Sequence, residues 1–165
     1  MANDVLILNS SALTATITLT SLATVTTGNA REGVKIDFGS PRANRWLARL
    51  QTKFATAPTA AKTIEVWMGY SASSTAGTGN PGNLTGADTT WAGYTTDPAQ
   101  ARFQLRRVGQ FVASATTVAQ VQDIAVFCPE LQYGVPLVLN YADQALSSTA
   151  GDHVLTFTPI KDQVQ

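Results

Sequence analysis

Side chains at every second position shape most of this chain. Leu13, Ala15, Ile17 and Leu19 alternate with Thr14, Thr16, Thr18 and Thr20. A period of two places one set on a dry face and the other on a wet one, as in a half-buried β-strand. Threonine suits that pattern because its branched Cβ fits a pleated surface. After Ser21 the phase slips by one residue, which predicts a β-bulge or a strand break. Gly28-Asn29 is a turn signal, and Gly39-Ser40-Pro41 closes the next alternating run, Val34–Phe38.

Arg42–Phe54 fits two periods. A strand points Trp46, Ala48, Leu50 and Phe54 inward and Arg45, Arg49 and Lys53 outward. A helix gathers Trp46, Leu47, Leu50 and Phe54 into a stripe instead. Local propensity favours the helix, but it is a weak prior beside an all-strand context, so a strand is expected. Further strands are predicted at 64–70, 102–108, 110–113, 121–127, 135–141 and 154–160. Ser71–Asp97, rich in Gly, Ser, Thr and Asn, is a long loop of the kind usually functional or mobile. About nine or ten short strands with turns between them predict one all-β domain over residues 1–165, an antiparallel β-sandwich of jelly-roll type.

Composition narrows the function classes. Of 165 residues only 13% are charged, with 11 basic and 11 acidic side chains, while 23 threonines and 24 alanines fill the gap. Disorder and coiled coils need far more charge than this. Zero net charge argues against a general nucleic-acid binder. Neutral, charge-poor surfaces favour association. One cysteine and one histidine cannot build a usual zinc site, so no metal or other cofactor is expected. Asp4 and the short Val5–Leu8 run do not read as a secretory leader, and no stretch approaches the length of a membrane helix. Synthesis in the cytoplasm, with no membrane partner, is the expectation.

Motifs that carry chemistry are weak. Gly77-Thr78-Gly79-Asn80-Pro81-Gly82 spells a dinucleotide fingerprint, but no strand leads directly into it and no helix follows. Asn9-Ser10-Ser11 and Asn83-Leu84-Thr85 match glycosylation acceptors at a frequency that chance explains. Asp152 neighbours His153, yet adjacent strand residues face opposite ways, so a surface histidine is expected rather than a triad member. Cys128 reads as a small buried hydrophobe. The acids are scattered singly, as solvated groups are. Trp91 and Tyr94 lie in the long loop, where three roles stay open: partner anchor, sugar platform or a buried satellite cluster. Residues 31–62 carry seven basic side chains against two acids, and Arg102, Arg106 and Arg107 add more. Exposed, these form a patch for an acidic partner or another copy; otherwise they pair with local acids.

The C-terminal third runs Val121-Gln-Asp-Ile-Ala-Val-Phe-Cys-Pro129, then Tyr133-Gly134-Val-Pro-Leu-Val-Leu-Asn140, Gln144-Ala-Leu146-Ser and a strand ending Thr158-Pro159-Ile160. It resembles the end of small jelly-roll virion structural proteins of tailed bacteriophages. Arg45-Trp46-Leu47 through Ile64-Glu65-Val66-Trp67 is similar to their middle hairpin. The resemblance covers about half the chain and carries no catalytic residues. It implies a capsid decoration or cement protein on the outside of the head, often trimeric, bound to copies of itself and to the major capsid protein. Arg45, Arg49, Lys53, Trp91, Tyr94 and Arg106 are the candidate partner contacts. A tail or fibre component with a glycan-binding loop and a hydrolase are the alternatives.

Overall fold

The computed structural model describes residues 11–24, 30–40, 43–93 and 103–160. They form ten strands: β1 Leu13–Thr14, β2 Ala30–Glu32, β3 Ile36–Asp37, β4 Arg45–Thr52, β5 Thr63–Ser71, β6 Thr89–Thr90, β7 Arg106–Val112, β8 Gln120–Phe127, β9 Tyr133–Asn140 and β10 Val154–Ile160. One sheet has the order β1-β10-β4-β8, the other β6-β2-β9-β5-β7, with β3 also on β9. Every strand pairing among the described residues is antiparallel, so the chain is a two-sheet β-sandwich.

β4 resolves the helix–strand ambiguity. It lies between β10 and β8 and hydrogen-bonds to both, burying Trp46, Ala48, Leu50 and Thr52 on one face. Opposite them, β5 contributes Ile64, Val66 and Met68, and all are essentially inaccessible. Phe38, Trp46, Phe127 and Phe157 meet edge to face, with ring centroids 5.2–6.0 Å apart. Each such aromatic pair adds about 0.5–1.5 kcal/mol beyond the burial itself.

The first predicted strand is shorter than its alternation. Ala15 N–H still reaches Leu155 O of one sheet at 2.8 Å, but Thr16 O accepts from Val34 N–H beside the other. Residues 15–20 therefore cross between sheets while keeping the in–out period. The slip after Ser21 is a true break: Ser21 has φ 55° and Leu22 N–H turns back to Leu19 O. Gly28-Asn29 lies outside the described residues. The runs expected at 102–108 and 110–113 are one strand, β7, which passes through Gly109 with a bulge at its pairing with β5.

β7 and β8, each at the edge of its sheet, close one side of the sandwich. Gln122 accepts from Val112 N–H and donates to Val112 O; Gln120 does the same to Ser114. Each side-chain amide thus stands in for a peptide group, which blunts an edge otherwise open to pairing. The backbones come so close that a Cβ on Gly109 would sit 2.5 Å from Ile124 O.

Candidate functional site

The two sheets present their outer faces differently. On the β5–β9 sheet the face is covered by the protein's own long loop. β9 is consequently buried on both sides: Val138 enters the main core, while Val135, Leu137 and Leu139 join Leu84, Trp91 and Leu105 in a second cluster. Trp91 is fully buried, and its indole N–H donates to Gly82 O at 2.8 Å. The expectation of Trp91 as an exposed partner contact is corrected accordingly; β9 offers an apolar strip that a large ring fills. Tyr94 lies outside the described residues.

Three consecutive charges hold that loop. Arg31 pairs with Asp88 at 2.8 Å, and Thr18 donates to the same carboxylate through its N–H and hydroxyl. Burial pushes Asp88 up, but these hydrogen bonds win and hold it below the usual carboxylate range. Glu32 is fully buried and accepts from Thr85 and Gly86 N–H through Oε2, leaving Oε1 without a partner. Burial raises its pKa against those bonds, so the reading of the acids as solvated fails at Glu32. Lys35 Nζ donates among Ser71 Oγ, Ser73 O, Thr75 O and Thr78 O at 2.7–3.3 Å. The glycine-rich 77–82 segment is a turn in this stapled loop, with Gly79 and Gly82 at positive φ. Over its described residues the loop is tied at three charges and packs as a layer on the sheet.

The outer face of the β1-β10-β4-β8 sheet carries no such cover among the described residues. Its strand registers set side chains in rows: Val121–Gln51–Val154, then Asp123–Arg49–Thr156–Thr14, then Val126–Leu47–Thr158. A bulge at Ile124 shifts the alternation of β8 by one residue, so Val126 faces outward like Asp123. Val121 and Val126 are each more than half exposed. In the middle row Arg49 binds Asp123 through two bonds, 2.6 and 3.1 Å. The bond from Arg49 holds Asp123 below its usual pKa and raises Arg49 in turn.

Of the expected contacts, the fold gathers Arg45 and Arg49 on this face. Lys53 lies just past the end of β4, 3.4 Å from Asp152. Arg106 is on the other sheet's edge strand, 2.6 Å from Glu130, and Arg107 reaches Glu65. Local pairing therefore accounts for much of the basic middle of the chain. Asp123, read as a solvated acid, is indeed on the surface but pairs with Arg49, and Val126 was overlooked because the strand carries a bulge that a period-two reading does not anticipate.

Two other expectations are corrected. Cys128 is exposed, because Phe127 points into the aromatic cluster and the next residue turns outward. His153 is buried rather than on the surface: Nε2 donates to Ser147 O and Nδ1 accepts from the Thr52 hydroxyl, both at 3.0 Å. Ser147 Oγ donates instead to Asp152, so Ser147, His153 and Asp152 do not form a proton relay. Among the described residues no group of His, Cys, Asp and Glu is arranged to hold a metal, and no helix is long and apolar enough to cross a membrane. No protein-family model, curated protein or solved structure matches this chain.

Proposed function

We propose that this chain is a virion structural protein, in the role of a decoration or cement protein on the exterior of a capsid. The observation that carries the reading is the order of strand pairing. Counting β2 with β3 as one strand and setting aside the two-residue β6, eight strands remain. The first pairs with the eighth (β1·β10), the second with the seventh (β2·β9), the third with the sixth (β4·β8) and the fourth with the fifth (β5·β7). A long antiparallel hairpin rolled over itself has that pairing, which supports a jelly roll, an architecture used by capsid and lectin domains. A sheet face that no described residue covers, beside a neutral composition, supports work by assembly, where repeated modest contacts add through avidity.

The glycan-binding alternative relied on Trp91 as an exposed platform, and its burial removes that support. The test is immunogold labelling and peptide mass spectrometry of purified virions and tail-free heads of the virus encoding the chain. Label on the head surface is expected. Label confined to tails would move the protein to the alternative position, and absence from both would overturn the virion reading.

A further inference from the structure

We infer that the outer face of the β1-β10-β4-β8 sheet is a self-complementary contact, covered by the same face of a second copy about a two-fold axis. This deepens the assembly reading by naming its surface, although the argument rests on the face alone.

The Arg49–Asp123 pair is the charged centre of this face. It lies between Leu47–Val126 and Gln51–Val121, with exposed or half-buried apolar groups on either side. Any partner that covers the valines also strips water from the pair. Desolvating an ion pair is costly unless new polar partners replace the water. A partner of unrelated sequence must bring an acid and a base at matching positions. A second copy brings them by symmetry. An axis parallel to the strands, midway between β4 and β8, sets Arg49 over the partner copy's aspartate and Asp123 over its arginine. The same operation sets Leu47 over the copy's valine from the same row. Sheets stacked face to face lie about 10 Å apart, within reach of these side chains.

Symmetry also selects the copy number. A two-fold contact uses one patch on both molecules, whereas a three-fold ring needs two different complementary patches on each. This face is neutral and matched to itself, so it favours pairs over the trimer that the phage resemblance implied. Under that axis β4 and β8 overlap their counterparts, and two strands at ~4.8 Å spacing and about seven residues of length give a flat area on the order of 200 Å². That is about a quarter of the ~800 Å² per partner in a standard stable interface. The pair is therefore weak in free solution and gains from an array.

The test uses the full chain and two variants, Arg49→Asp and Asp123→Arg, each confirmed folded by circular dichroism. Sedimentation equilibrium at low salt should show the wild-type mass rising toward a dimer at high protein concentration. Either variant alone sets four like charges together and should remain monomeric. Mixed in equal amounts, the two variants should associate, because each then supplies the charge that the other lacks. Loss of structure cannot be rescued by mixing, so this outcome separates contact from folding. A wild-type chain that stays monomeric up to about 1 mM, a dissociation constant worth about 4 kcal/mol of association, overturns the inference. So do variants that self-associate like the wild type, or a mixture that stays monomeric. The particle-location result is independent: a pairing protein missing from virions would refute the virion role and leave this contact standing.

Discussion

Trp91→Ala tests whether the long loop is a true layer of the fold. The side chain is wholly buried among Leu84, Leu105, Val135, Leu137 and Leu139, and its N–H satisfies Gly82 O. Truncating a buried tryptophan costs about 3–5 kcal/mol from lost transfer energy and the cavity left behind. The carbonyl of Gly82, stripped of its donor, adds about 1 kcal/mol unless water reaches it. The cost is not expected to fall evenly. The main core of Trp46, Phe38, Phe157 and Ile64 lies on the opposite side of β9 and loses nothing directly. Native-state hydrogen exchange should therefore show the Trp91 amide, bonded to Ala30 O, and neighbouring loop amides losing most of their protection. Amides of β4 should keep theirs. Urea unfolding followed by far-ultraviolet circular dichroism should report a smaller global loss. A global change below about 0.5 kcal/mol, the level of an ordinary surface substitution, with loop protection unaltered, would refute the reasoning.

Three further outcomes are expected. Glu32→Gln should change the pH dependence of stability. The wild-type carboxyl has a folded pKa above its ordinary 4.5, so its contribution is fully present below 4.5 and is lost as pH rises through the folded value. Wild type should accordingly lose stability relative to Glu32→Gln on going from about pH 4.5 to 7.5, and a pH-independent difference in urea midpoints would count against it. Gly109→Ala should destabilise by about 1–3 kcal/mol, because its Cβ meets the Ile124 carbonyl, a backbone atom that cannot step aside; an unchanged melting curve would contradict the close approach of β7 and β8. Lys35→Met removes the donor to Ser71, Ser73, Thr75 and Thr78, so limited proteolysis should cut within 72–79 while the rest of the sandwich resists. Equal resistance to wild type would show that the loop does not depend on that ammonium.

Much of the strand content was legible in the chain because alternation is a local signal. Trp46, Ala48 and Leu50 share a face whenever the backbone is extended, and Val154–Ile160 and Ile64–Tyr70 needed no partner to be recognised. The run at 135–141 was legible as a strand, but nothing nearby said that residues 84 and 91 would cover its second face.

What tertiary structure alone decided was the destination of the charged and unusual residues. Arg31 and Lys35 read as part of a basic surface and Glu32 as a solvated acid, but each turned toward a loop that is remote in sequence and close in space. Asp123 met Arg49 across 74 positions because β8 paired with β4 in that register, and the bulge at Ile124 then turned Val126 to the same face. Cys128 and His153 exchanged their expected places for a similar reason. Hydrophobic period is a property of neighbours in the chain. Ion pairing, register and coverage depend on contacts between distant segments, which no local pattern encodes.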